Sequence, residues 1–186
     1  MKSLFKIESL LLAFLVIQMM ISCKNQKAKE NDENFTGSSR RDDICNLLKK
    51  EDIQSVFEVS KELKIEQREE EKAICFYGWK AAGDEFLYYS VTLNFARGEK
   101  RTKSQIDALW KGQYDRLYHR HELQEVTHVG DKASWSKLGG GQLRVASHGF
   151  IFYISLSVTP SKDNPMNTKK MITKASSLAE LVIDRM

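Results

Sequence analysis

The chain has 186 residues, 41% of them hydrophobic, with 29 Lys and Arg against 25 Asp and Glu, a net charge of +4. So small an excess, spread among many acids, excludes a basic nucleic-acid footprint and describes a mixed, soluble surface. Without internal repeats or long low-complexity stretches, the length is that of one domain with terminal extensions.

"MKSLFKIESLLLAFLVIQMMISC" opens the chain with Lys2 and Lys6, then an apolar run from Leu10 to Ile21. A basic start, a short hydrophobic run and a small residue at its end make an export signal, residues 1–22. A membrane-spanning helix needs about 20 apolar residues, and Glu8, Gln18 and Ser22 leave too few. Met20-Ile21-Ser22-Cys23 resembles the lipobox of bacterial lipoproteins. That resemblance implies a diacylglycerol on the Cys23 sulfur, cleavage just before Cys23 and acylation of its new amine. Two or three acyl chains hold a protein firmly where one binds reversibly, at about 0.8 kcal/mol per buried methylene. The expected localisation is the bacterial cell envelope, with Cys23 anchored in a membrane. Lys24 after the anchor fits the outer membrane, facing the periplasm or the surface. Loss of the signal removes two lysines and one glutamate, lowering the net charge from +4 to +3.

"KNQKAKENDENFTGSSRRD", residues 24–42, has a single aromatic residue and too little apolar surface to order itself. With Cys23 it reads as a lipidated, flexible tether over 23–42, with a typical end-to-end distance on the order of 20–25 Å. Residues 43–186 then form one domain, long enough for a real core.

Within that domain, "DDICNLLKKEDIQSVF" places Ile44, Leu47 and Leu48 on one face and Ile53, Val56 and Phe57 on another, two short helical pieces bent near Lys49-Lys50. "AICFYGWK" (73–80) and "FLYYSVTLNFA" (86–96) alternate as strands, joined by a Gly83-Asp84 hairpin signal. "TKSQIDALWKGQYDRLYHRH" predicts a helix opened by a Thr102/Gln105 capping box. Its face runs through Ile106, Leu109, Trp110, Gln113, Leu117 and His121, with Tyr114 and Tyr118 beside it. Short strands follow in "LQEVTHV", "ASWSKL", "GQLRVAS" and "FIFYISLSV", the last two joined by a His148-Gly149 turn. Asn164-Pro165 is expected to open a final helix with the stripe Met171, Ala175, Leu178, Ala179 and Val182. This order predicts an α+β fold, an antiparallel sheet of about five to six strands with helices packed on one face.

With Cys23 lipidated, Cys45 and Cys75 remain. A disulfide between them would tie the opening helix to the sheet and close a loop of about 30 residues, contributing roughly 3–4 kcal/mol. Two buried free thiols are the alternative. A third is Cys75 as nucleophile, although "AICFYGW" lacks the electropositive setting that activates a thiol.

Cys45 with Leu47-Leu48, Cys75 with Tyr77, and Gly130-Asp131-Lys132-Ala133-Ser134-Trp135 together resemble a set of small bacterial envelope lipoproteins, best known from actinobacteria. The likeness spans nearly all of residues 43–186. It implies the α+β fold and the Cys45–Cys75 disulfide, and it implies no activity.

Several stretches invite chemistry. His119, His121, His128 and His148 are candidate metal ligands, although at a helix C-terminus histidines also complement the dipole. "KLGGGQLRV" has the glycines of a phosphate loop but leads into a strand and lacks the Gly-Lys-Ser/Thr, so it reads as a hairpin or bulge. "EQREEEK" (66–72) reads as a solvated loop or helix end. "ARGEKRTK" (96–103) is a basic loop able to meet lipid headgroups or acidic glycans. Trp79, Trp110, Trp135, Tyr77, Tyr88, Tyr89 and Tyr114 are many aromatics for one domain, and the sheet face carrying Tyr88 is a candidate binding surface. No nucleophile elbow, zinc cysteine pair or dinucleotide fingerprint occurs, so no metal and no cofactor is assigned. The expectation is a non-enzymatic envelope binding module that meets an envelope protein or a glycan and no nucleic acid. A carrier of a small apolar ligand and a metal-dependent envelope hydrolase are the alternatives.

Overall fold

The computed structural model describes residues 44–70, 73–96 and 100–186. The signal, Cys23 and the tether to residue 42 lie outside the described residues. So do 71–72 of the acidic run and 97–99 of the basic loop.

Seven strands form one antiparallel sheet: β1 (Glu66–Glu69), β2 (Ile74–Ala81), β3 (Asp84–Phe95), β4 (Gln124–Glu125), β5 (Lys132–Ser136), β6 (Gln142–Ser147) and β7 (Phe150–Thr159), in the order β1-β2-β3-β7-β6-β5-β4. The helices are α1 (Lys50–Phe57), α2 (Lys103–Gln113) and α3 (Thr168–Asp184). The α+β class is as expected, and the sheet is wider than the five to six strands anticipated. The additional strand is β1, in the stretch read as a solvated loop. All four of its residues are exposed. Its ladder, Glu66 with Gly78 through Glu69 with Cys75, uses main-chain groups that leave no apolar alternation in the sequence. Charged side chains on such an edge also discourage pairing with another chain.

Alternation on the pleated sheet sends side chains to two faces. Trp79, Val91, Leu93, Leu143, Val145, Phe152, Ile154 and Leu156 point to the first face and are buried under α1 and α3. The α3 stripe, Met171, Ala175, Leu178, Ala179 and Val182, is the one its periodicity predicts. Asn167 caps this helix by accepting from the Lys170 N–H at 2.9 Å, so the cap stands three residues beyond Asn164. All helices were expected on one face. Only α1 and α3 are there, and α2 lies against the other, where its Ile106 packs on Ala146 and Ile151. That second cover explains why β6 is buried along nearly its whole length.

The opening pieces bend where expected, as a 3-10 turn at Ile44–Asn46 followed by α1 from Lys50. Cys45 and Cys75 are disulfide-bonded with Cα atoms 5.3 Å apart, which fastens that turn to β2. Beside the bridge the Tyr77 hydroxyl donates to the Leu48 carbonyl. Asp52 does two jobs. It accepts from the Lys49 N–H at 2.6 Å, capping α1, and forms a bidentate ion pair with Arg185, whose Nη2 lies 2.8 Å from Oδ1. Arg185 also donates to the Leu47 carbonyl at 3.1 Å, so the end of α3 is bound to the start of α1.

At the hairpin between β6 and β7, His148 and Gly149 have φ of 52° and 84°, the mirror-image turn that suits the twist of two strands. Gly130, before β5, has φ of 58°, and a Cβ there would stand 2.7 Å from the Ala146 carbonyl oxygen. This accounts for glycine at the head of the Gly-Asp-x-Ala-x-Trp stretch.

Hydrogen bonds from Arg185 hold the Asp52 carboxyl below its ordinary range against the opposing effect of burial, and the Lys49 N–H assists. A carboxylate depressed in the folded state stabilises above its unfolded value near 3.9, and that stability is lost as pH falls through the folded value. Asp52→Asn should therefore cost about 1–3 kcal/mol at neutral pH and clearly less in acid. Paired urea denaturations at pH 7 and below pH 3 read this, and an equal loss at both would remove the charge from the account. In a thiol titration of the unreduced, denatured mature chain, Cys45 and Cys75 should contribute no free thiol, and two would refute the bridge.

Candidate functional site

Helix α2 crosses β5, β6 and β7 on the second face. Its capping box forms as the sequence predicts: the Thr102 N–H donates to Gln105 Oε1 at 2.9 Å, and the Gln105 N–H to Thr102 Oγ1 at 3.4 Å. Asp107 sits between Lys103, at 2.8 Å, and Lys132 of β5, so one carboxylate ties the helix to the sheet. The two ammonium groups pull its pKa down to about 2.

A straight 3.6-residue period puts Leu117 toward the sheet. After Gln113 the backbone instead widens into a π-helical turn, Tyr114–Tyr118, closed by the His119 N–H on the Tyr114 carbonyl at 2.9 Å. The wider turn rotates the face by one residue. Leu117 is 56% exposed and Tyr118 takes the inner place at 2%. Such π turns occur often at functional sites.

The turn and α2 close over Arg144, in the middle of β6 and 1% exposed. Its guanidinium carbon lies 3.7 Å from the centre of the Trp110 ring and 4.5 Å from that of Tyr118, a cation between two π faces. Its Nη1 donates to the Trp110 carbonyl at 3.3 Å and Gln113 Oε1 at 3.4 Å. Among the described residues no carboxylate pairs with it, and its buried Nε has no hydrogen-bond partner. Burial lowers the pKa of this guanidinium and raises that of Tyr118 to about 12. Tyr118 keeps its proton and donates it to Gln142 Oε1, and Gln142 passes a hydrogen bond to Ser155 at 3.1 Å.

Ser134 of β5 is the register partner of Arg144 on the same face, and its buried Oγ is likewise unpartnered. A third orphan, Trp135 Nε1, belongs to the opposite face, where the indole ring lies by Gly141 and Met171. Arg144 and Ser134 both line a cleft of about 700 Å³ between α2 and the β4–β5 connection. Trp110, Tyr114 and Leu123 give it apolar walls, and the main chain of Val126 to Gly130 passes along it. Lys111, Lys132, Glu125 and Asp131 give it charges of both signs, and His128 also lines it. Lys111 is engaged with Asp115 at 2.7 Å and Lys132 with Asp107. The volume is that of sites for small organic molecules, and a few convergent polar groups among apolar walls are their usual lining.

Of the residues singled out by sequence, Trp110, Tyr114, His128 and Gly130 through Ser134 meet at the cleft, and the others scatter. His119 and His121 follow the π turn, His128 is in the β4–β5 connection and His148 in the β6–β7 turn; all four are exposed. Among the described residues, no three His, Cys, Asp or Glu side chains are gathered as metal ligands would be. Trp79 stacks on Tyr89 at 5.5 Å and meets Phe57 edge-on at 5.0 Å, within the core under α1 and α3. On the Tyr88 face, the part over β2 and β3 holds Phe76, covered by the Arg68 guanidinium at 4.5 Å, and the Tyr88 ring laid over Gly78. The described ends of the basic loop run beside the β6–β7 turn, with the Arg101 N–H on the Gly149 carbonyl at 2.7 Å. The glycine run connects β5 to β6, as a hairpin connection should. Arg144 and Ser134 were not anticipated as binding residues. The available signal was an arginine in the middle of the strand "QLRVAS", where a helix covers its side of the sheet.

Comparison with protein-family models, curated proteins and solved structures found no match to this chain.

The π turn makes a prediction opposite to that of a regular helix. Tyr118→Ala should cost about 3–5 kcal/mol, as loss of a buried aromatic side chain does, whereas Leu117→Ser should change stability by less than about 0.5 kcal/mol. Thermal or urea unfolding of the two variants decides; a large loss for Leu117→Ser would mean the regular period continues.

Proposed function

We propose that this chain is a lipid-anchored binding module of the bacterial cell envelope, held to the outer membrane through Cys23 and acting by binding rather than catalysis. The observation that carries the binding reading is the cleft floored by two buried polar groups that the described chain leaves unpartnered, Arg144 Nε and Ser134 Oγ. Natural folds satisfy nearly all such groups, so an orphaned pair lining one cleft calls for something that arrives there. The envelope reading rests on the basic and apolar signal, on Met20-Ile21-Ser22-Cys23, and on its agreement with the Cys45–Cys75 bridge, since disulfides persist in oxidising compartments. The resemblance to small envelope lipoproteins draws on the same cysteines and on Gly130 through Trp135. Among the described residues no helix is long and apolar enough to cross a membrane, and the lipid on Cys23 is the proposed attachment.

In its first form this reading places an envelope protein or glycan against the domain. The second form, a carrier of a small ligand, draws on the cleft's volume of about 700 Å³. Acyl-chain labelling and membrane fractionation of the wild-type protein and Cys23→Ser test the anchor. The variant should accumulate as an uncut precursor without lipid, and normal processing would refute the lipobox. In-cell crosslinking followed by mass spectrometry separates the two forms. A reproducible envelope protein or glycan supports the first, and its absence with a small molecule retained on the domain supports the second.

A further inference from the structure

The floor of the α2 cleft has an unusual charge balance. Arg144 is permanently cationic and 1% exposed, and its neighbours are two aromatic faces, a main-chain carbonyl and an amide oxygen. An isolated charge out of water is strongly disfavoured unless an opposite charge or several good acceptors meet it, and acceptors at 3.3 and 3.4 Å are long ones. Of its donors, Nε is wholly unmet. Ser134 Oγ stands on the neighbouring strand in direct register, on the same face, where paired side chains are about 5 Å apart. The guanidinium N–H and the hydroxyl are both donors that a carboxylate oxygen accepts. The remaining cations of the cleft, Lys111 and Lys132, already hold carboxylates of their own. Glu125 and Asp131 also line the cleft but are exposed, so the charge left unmatched at its buried floor is that of Arg144, which calls for a monoanion. Above this floor the apolar walls are Trp110, Tyr114 and Leu123, which suit a flat or aliphatic body and not a sugar phosphate.

We infer that the cleft binds a small organic acid, its carboxylate seated on Arg144 Nε and Ser134 Oγ and its apolar body lying against Trp110, Tyr114 and Leu123. This names the ligand class of the binding module proposed above and rests on that reading only for its location in the envelope. The aromatic clamp has a purpose in this arrangement. Trp110 and Tyr118 hold the guanidinium in one orientation before any ligand arrives, so little rotamer freedom is lost on binding. The π turn is what brings Tyr118 to the second side of the clamp.

Benzoate and octanoate are the probes, with benzyl alcohol as the neutral analogue and inorganic phosphate as the competing anion. They are titrated into the full mature protein by calorimetry, with Trp fluorescence as a second readout. Either acid should bind at millimolar concentration or tighter, and the preferred one distinguishes an aromatic from an aliphatic body. The neutral analogue should bind at least about tenfold more weakly. Ser134→Ala should weaken the acid about tenfold while leaving the melting temperature of the free protein near that of wild type. Arg144→Met should abolish binding, and if it does not fold, Ser134→Ala decides alone. No saturable binding of either acid at about 10 mM, equal affinity for benzyl alcohol, an unchanged affinity in Ser134→Ala, or a preference for phosphate would each overturn the inference. The anchor fails separately. Normal processing of Cys23→Ser with intact benzoate binding removes the envelope location and keeps the ligand class, whereas a lipidated protein that binds no acid does the reverse.

Discussion

The guanidinium of Arg144 is the charge around which the second layer of this domain is arranged. A cation in the middle of a buried strand must be met by something, and no carboxylate among the described residues does so. Helix α2 supplies what there is: the Trp110 ring and carbonyl, the Gln113 amide and, after the π turn, the Tyr118 ring. These partners fix the helix across β5 to β7 and set the rotation of its last turn. They also leave one edge of the guanidinium facing a cleft. Gln113 is a buried polar residue on a helix face for the same reason, since its oxygen accepts from Arg144 while its nitrogen donates to Tyr153.

The opposite face is governed by ordinary hydrophobic burial. Leu93, Leu143, Ile154 and Leu156 meet Leu178 and Val182 with no polar demand. Fully burying a side chain of this size contributes about 1.5–3 kcal/mol relative to exposure. Its two weak points are the short opening helix and the chain end of α3. Asp52 and Arg185 bind those two to one another, and the Cys45–Cys75 bridge fastens the first to the sheet. In the entropic account a bridge closing a loop of this length is worth roughly 3–4 kcal/mol. The rigidity of this side allows the other to carry an unsatisfied site, because strain or orphaned groups persist only where the surroundings over-determine the structure.

Much of the architecture was legible in the chain. The alternation in β3 and β7, the stripe of α3, the Thr102/Gln105 box, the His148-Gly149 turn and the bend before Lys50 each depend on contacts within a few residues. Strand β1 was not legible, because a charged edge strand is held by main-chain pairing and its side chains show no period. The side of the sheet taken by α2 was also hidden, since amphipathic helices look alike whichever face they cover. The candidate site was hidden at its floor. The histidines and aromatics drew attention because their chemistry is conspicuous, which marked Trp110, Tyr114 and His128 at its walls, whereas Ser134 is a common residue in an ordinary strand.

The sequence by itself determined the strands other than β1, the three helices, the apolar stripe of α3 and the α+β class, and it carries the motif read as pointing to Cys23 as an anchor. All of these are encoded by spacing over one or two turns or by a contiguous signal. Only the tertiary structure decided that Arg144 and Ser134 would stand side by side beneath Trp110, with Tyr118 rather than Leu117 on the inner side. Those outcomes depend on the register of β5 against β6 and on one additional residue in a helical turn. A one-residue shift of β5 against β6 would send Ser134 to the face opposite Arg144, and no local pattern records which register long-range packing selects.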